Sequence, residues 1–259
     1  MEQHICKNCG TTYTDGFCNH CGQKTAHRIT MGHIGHDVLH AFTHADKGII
    51  YLFLQLFIRP GIVAREYIIE GKRKKYFSPF QYVLIVGSIA AFVMVNSHFM
   101  ENTMAELTPT IAPGPASVRE MQYMKLMTNL QTKYYNFIVL LQLPFFAFAS
   151  FLWYRKFKYN YAEHLTLQTF ITSQTTIFGM LIILVVAMSG KPGFYIASII
   201  SLFSTSFQVY AYTQFFGERS FKGVLRALAS AITGFLFFTL FIATVSIITA
   251  IIIIVGTKK

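Results

Sequence analysis

Charge is scarce in this chain. Asp, Glu, Lys and Arg make up 13% of its 259 residues, about half the ~25% that soluble domains carry, and long stretches have none. That pattern excludes disorder, a coiled coil and a collagen-like fibre, and with a mean hydropathy of +0.45 it points to a membrane protein. Acidic residues are the scarcest, 11 Asp+Glu against 22 Lys+Arg. A basic excess of this size suits loops held on the cytoplasmic side of a bilayer and contact with anionic lipid, so it does not call for nucleic acid. A Gly-rich phosphate loop and a Ser/His/Asp constellation are both missing, so nucleotide hydrolysis and serine hydrolase chemistry have no support. Cysteine occurs four times, always before residue 22.

What the chain does have is apolar length. Five gaps between charged residues, at 76–100, 134–154, 164–190, 192–217 and 227–256, each hold the ~20 residues that cross a hydrocarbon core ~30 Å thick. They predict five transmembrane helices with cores at 80–95, 136–153, 166–188, 194–216 and 231–255. The turn Ser189-Gly190-Lys191-Pro192-Gly193 makes spans three and four a hairpin. Sixteen Lys and Arg fall on the side of the N-terminus and six on the other. The positive-inside rule therefore places the N-terminus in the cytoplasm and the C-terminus outside. The first thirty residues are polar and Cys-bearing rather than an apolar leader, so span one is expected to act as its own insertion signal. None of the five spans contains Asp, Glu, Lys or Arg, which disfavours a driven carrier.

All four cysteines lie in two copies of one knuckle, Cys6-x2-Cys9-Gly10 and Cys18-x2-Cys21-Gly22, with Tyr13 and Phe17 as the only large apolar filling. Two such turns present four thiolates tetrahedrally, a geometry that suits one structural Zn(II). A segment of about twenty residues has no core of its own, so the metal would supply its folding energy. Iron in a rubredoxin-like site and disulfides are the competing readings. Four sulfur ligands leave no open position for water or substrate.

Between this ribbon and span one, His33, His36, His40 and His44 fall within an arc of about 80° on a helix, opposite Val38, Leu39 and Phe42. An apolar stretch at 48–58 is too short to cross the membrane and is expected to lie at the interface. Arg59-Pro60-Gly61 ends it, and a second short helix at 62–70 leads into Lys72, Arg73, Lys74 and Lys75, a cluster suited to lipid headgroups. Imidazoles one turn apart can chelate a metal, and Glu163-His164 at the cytoplasmic start of span three could complete a second, open site. The alternative is that these histidines simply line a polar face.

The Cys-x2-Cys-Gly knuckles, the His stripe ending in His44-Ala45-Asp46-Lys47-Gly48, Arg59-Pro60-Gly61, Arg65-Glu66-Tyr67, Gly71-Lys72-Arg73 and Asn160-Tyr161-Ala162-Glu163-His164 together resemble an uncharacterised bacterial family, domain of unknown function 3667. The resemblance covers roughly residues 5–80 and 155–170 and singles out His40, His44, Glu163 and His164. It implies the same architecture and no reaction. The expected organisation is an all-α membrane protein with a zinc ribbon at 1–28, amphipathic interfacial helices at 29–78 and a five-helix bundle at 79–259. Its expected role is non-catalytic, as an interaction, assembly or regulatory factor that meets a cytoplasmic protein through the ribbon, with self-association left open. One rival is a His-cluster metalloenzyme acting on lipid. Another is a passive channel or lipid transporter, resting on Thr172–Thr176 in span three and Gln208, Tyr210, Tyr212 and Gln214 in span four.

Overall fold

The computed structural model describes residues 3–25, 30–32, 48–107, 115–187 and 193–256. Two short strands open it, β1 (His4–Ile5) and β2 (Thr12–Tyr13), paired antiparallel with His4 opposite Tyr13. The rest is helical: α1 (Ile49–Ile58), α2 (Pro60–Ile68), α3 (Pro79–Ser97), α4 (Phe99–Leu107), α5 (Pro115–Lys133), α6 (Tyr135–Trp153), α7 (Tyr161–Ala187), α8 (Gly193–Phe216) and α9 (Phe221–Gly256). Single 3-10 turns at Arg73–Lys75 and Arg155–Phe157 precede α3 and follow α6.

Long apolar runs give long helices, and their packing order follows their polarity. Helices α3, α7, α8, α9 and α6 form a closed ring of contacts, with α6 and α7 also touching. Helix α7 is the most buried of the candidate spans and the most polar inside, with Gln168, Thr169, Thr172, Ser173 and Gln174 all enclosed. Helix α9 is the reverse: only 11% of its apolar window is buried, and Phe235, Leu240 and Ile247 point outward. That is the arrangement a hydrocarbon solvent selects. Apolar side chains lose nothing by facing lipid, whereas hydroxyls and amides must find partners inside.

Among the described residues four helices are long and apolar enough to cross a membrane, at 73–97, 135–153, 161–185 and 221–249. This differs from the five expected. Helix α8 has 24 residues, about 36 Å of helix, but Ser198, Ser201, Ser204, Gln208 and Gln214 dilute its apolar character. Its start at Gly193 and end at Phe216 match the expected core closely. Helix α9 begins ten residues before the expected 231, because the Ser220 hydroxyl accepts from Gly223 N at 3.2 Å and caps it.

Short helices pack against one end of the bundle. Leu52 and Leu56 of α1 are fully buried while Ile50, Leu54 and Phe57 are exposed, so α1 is apolar on both faces. The break falls at Arg59 (φ −142°, ψ 61°), and Pro60 starts α2 two residues earlier than expected. A missing N–H costs nothing at the first helical position. Helix α2 crosses α8 so closely that a Cβ on Gly61 would sit 2.2 Å from the Ala211 carbonyl oxygen. Only glycine fits there, and Gln214 Oε1 accepts from its amide at 3.0 Å.

Candidate metal centre

The two knuckles fold alike. Gly10 N donates to the Cys6 carbonyl and Gly22 N to the Cys18 carbonyl, both at 2.8 Å. Both glycines have positive φ, 79° and 71°, a turn that an L side chain resists. Strand pairing β1–β2 closes the first loop and the Phe17–Lys24 bridge closes the second. The four Sγ atoms consequently converge within 4.8 Å of one another. Cys6 lies 3.5 Å from Cys21 and Cys9 lies 3.6 Å from Cys18. A disulfide requires ~2.05 Å, and all four cysteines are free. A tetrahedral ion with bonds of ~2.3 Å sets its sulfurs ~3.8 Å apart. The cluster therefore fits a metal ion.

Burial pushes the Cys6 thiol up to about 11, whereas hydrogen bonding to Thr11 brings Cys9 down to about 5. A bound cation would favour all four thiolates by its own charge. Of the two aromatic residues expected as filling, Tyr13 is buried between the cysteines and donates its hydroxyl hydrogen to Thr25 Oγ1 at 3.1 Å. Phe17 is instead 59% exposed, because its bridge to Lys24 leaves the ring on the outer side; Ile5 is 72% exposed. His4 packs tilted against Tyr13, their ring centroids 5.8 Å apart.

A residue outside the cysteine pattern joins this ribbon to the bundle. Gln23, 4% exposed, donates from Nε2 to the Gly71 carbonyl at 2.9 Å and accepts at Oε1 from Lys74 N at 3.0 Å. The only sequence sign of it is that Gln follows Cys-Gly in the second knuckle and not in the first. The loop it grips is organised by Glu66. That carboxylate accepts from Lys75 Nζ and from the Tyr76 hydroxyl at 2.7 Å and lies 3.7 Å from Arg59. Burial raises the Glu66 carboxyl, but the Lys75 and Tyr76 hydrogen bonds and the positive charge of Lys75 and Lys72 outweigh it, and the net shift is downward. In the expected lipid-headgroup cluster, Lys75 thus pairs with Glu66 and Lys72 pairs with Glu70 at 2.7 Å, while Lys74 points outward. Arg73 occupies the 3-10 turn between them.

His33, His36, His40 and His44 lie outside the described residues. The two other candidates for a second metal are placed at the start of α7. Glu163 and Asn160 form a reciprocal cap, with Asn160 N donating to Glu163 Oε2 at 2.7 Å and Glu163 N to Asn160 Oδ1 at 2.9 Å. His164 is 1% exposed, its Nδ1 lies 2.8 Å from Ser150 Oγ, and Phe151, Tyr159 and Phe216 surround the ring. Its Nε2 is buried without a hydrogen-bond partner among the described residues. His98 ends α3 at the far end of the bundle, in a left-handed conformation (φ 51°).

Span polar groups bind helix to helix. Tyr212 of α8 donates to Gln168 Oε1 of α7 and accepts from Gln208 Nε2, both at 3.0 Å. Gln174 accepts from the Tyr82 hydroxyl of α3 at 3.3 Å, and Tyr210 donates to the Ile58 carbonyl at 3.1 Å.

No curated protein and no solved structure matches the chain. Residues 46–91 match a family model described as "Protein of unknown function (DUF3667)". That segment contains the Gly61 crossing, the Glu66 hub and the Gly71–Lys74 loop gripped by Gln23. That match and the four-cysteine cluster beside it fit the DUF3667 family over residues 46–91.

Proposed function

We propose that this chain is a bacterial inner-membrane protein in which a zinc ribbon, held rigidly at the cytoplasmic end of a helical bundle, presents an apolar edge to a protein partner without catalysis at the metal. The observation that carries this reading is Gln23: two hydrogen bonds fix the four-thiol unit to the Gly71–Lys74 loop, so that the ribbon is a cap rather than a tethered bead. Ile5 and Phe17 supply the exposed apolar edge. Zinc suits the site because four thiolates saturate a tetrahedral ion and leave no position for substrate. Glu163 caps α7 with Asn160 and His164 Nδ1 meets Ser150 Oγ, so each has a structural role in the bundle that a second metal shared with His33, His36, His40 and His44 is not needed to explain.

In this reading α8 is the fifth crossing, since it touches α2 at one end of the bundle and α4, which follows the opposite end of α3, at the other. The Lys and Arg asymmetry orients the ribbon inward. Helices α1 and α2 lie at the inner interface, where Ile50, Leu54 and Phe57 meet acyl chains and Lys74 meets anionic headgroups.

Affinity purification of the full chain tests the role. Ile5→Asp with Phe17→Asp should abolish a stoichiometric co-purifying protein while zinc content stays at one per chain; undiminished co-purification with both substitutions would refute it.

A further inference from the structure

Between α6, α7 and α8, and bounded by α3 and α4 at the far end, lies a cleft of about 300 Å³, at the lower end of the ~300–1,000 Å³ range of small-ligand sites. Its lining has a direction. Toward the ribbon, α7 and α8 supply Gln168, Thr172, Ser204 and Gln208. Toward the opposite end they supply Gly179, Ile183, Ala197 and Ile200, joined by Met94 and Phe99. Polar groups thus concentrate toward the ribbon, and apart from Tyr135 the opposite end is apolar.

These polar groups are partly committed. Gln168 accepts from Tyr212 and donates to Thr172 Oγ1 at 3.3 Å, and Gln208 donates to Tyr212 at 3.0 Å. These bonds fix both amides in place. They leave Gln208 Oε1, and the whole amide of Gln142 on the α6 wall, with no partner among the described residues. In a hydrocarbon setting such groups require a hydrogen-bonding occupant. An amide oxygen accepts and an amide nitrogen donates, which matches hydroxyls, since each can do both. The lining has no Asp, Glu, Lys, Arg or His, and a phosphate or ammonium there would be an uncompensated buried charge.

We infer that this cleft binds a lipid with an uncharged, hydroxyl-bearing headgroup, the headgroup on Gln142 and Gln208 and the chain leaving past Ile183 and Ile200. This goes beyond the ribbon's role and is independent of it, resting only on the bundle lying in a membrane.

The test is photolabelling of the full-length protein in liposomes with a photoactivatable diacylglycerol, against a photoactivatable phosphatidylglycerol and with free glycerol as competitor. The diacylglycerol should label peptides of α7 and α8 at least tenfold more than the charged probe, and millimolar glycerol should leave that labelling unchanged. Gln142→Leu and Ser204→Leu should each lower it about tenfold, with an unaltered melting temperature reporting an intact fold. If one of them unfolds the bundle, Thr175→Leu on the α7 wall of the cleft replaces it. Equal labelling by the charged probe, displacement by glycerol, or unchanged labelling in folded variants would each overturn the inference; the glycerol result would assign the cleft to a soluble polyol instead.

Discussion

Replacing Gln23 by Ala leaves the four thiols in place and strips Gly71 and Lys74 of their shared partner. The Lys74 amide then loses its side-chain partner while the Gly71 carbonyl keeps its bond from Arg73 N at 2.9 Å; one unpaired backbone group costs about 1–3 kcal/mol at most, so the ribbon should keep its metal and yet swing free, seen as rapid hydrogen exchange at the Lys74 amide. Retained protection there would mean that Gln23 is not the anchor. At Gly61 the added methyl of an Ala substitution has no room beside Ala211 and Gln214. Overpacking of this kind costs about 1–3 kcal/mol, and the melting temperature in detergent should fall; a neutral Gly61→Ala would show that α2 and α8 are not fixed against each other. Glu66 and Glu218 give the protein an acid limit. Burial raises each carboxyl, but the hydrogen bonds outweigh it, from Lys75 and Tyr76 for Glu66 and from Lys156 and Arg226 for Glu218, so both sit below the ordinary value of 4.5. A depressed carboxylate contributes its full stabilisation above the unfolded value and loses it as pH falls through the lowered native one. The melting temperature should be level from about pH 8 to about pH 5 and drop in acid. Glu66→Gln should lower the plateau and shrink the drop; an unchanged acid limb would dismiss its role.

Helix α7 is held as an element by what its polar side chains reach. The Tyr212 hydroxyl joins it to α8, so Tyr212→Phe should lower stability by about 1–2 kcal/mol, the range for hydrogen bonds between membrane helices, and Gln168→Leu with Tyr212→Phe should cost less than the sum of the two. Additive losses in that double-mutant cycle would contradict the bond. Helices of this kind were largely legible from residue type, because charge is expensive in hydrocarbon and each gap in charge became a helix, close to its expected limits except at the start of α9. The ends were less legible. Helix α9 starts before Arg226 because that arginine pairs with Glu218, which lies beyond any charge-gap rule. The knuckles could be read because cysteine spacing is local geometry. Gln23 and Glu66 could not, since each depends on partners 48 or 10 residues away that only the packed chain brings together; of the cleft, Thr172, Thr175, Thr176 and Gln208 were legible as polar faces of spans three and four, whereas Gln142 and Gln168 were not.

At the scale of the whole molecule a thiolate cap is joined to one end of an apolar bundle through one loop. The proposed topology rests on the Lys and Arg asymmetry and predicts that a single reactive cysteine placed near residue 3 should resist a membrane-impermeant maleimide in intact cells, and one placed near residue 256 should react. The reverse pattern would invert the cap and remove its cytoplasmic partner. The cap itself stands or falls on its metal. X-ray absorption at the zinc edge of the purified full-length chain, with elemental analysis of the same sample, should give one zinc per chain in a shell of four sulfurs at ~2.3 Å, lost when Cys6 and Cys18 are changed to Ser. A metal-free protein, bound iron, or a shell containing nitrogen or oxygen would contradict the account.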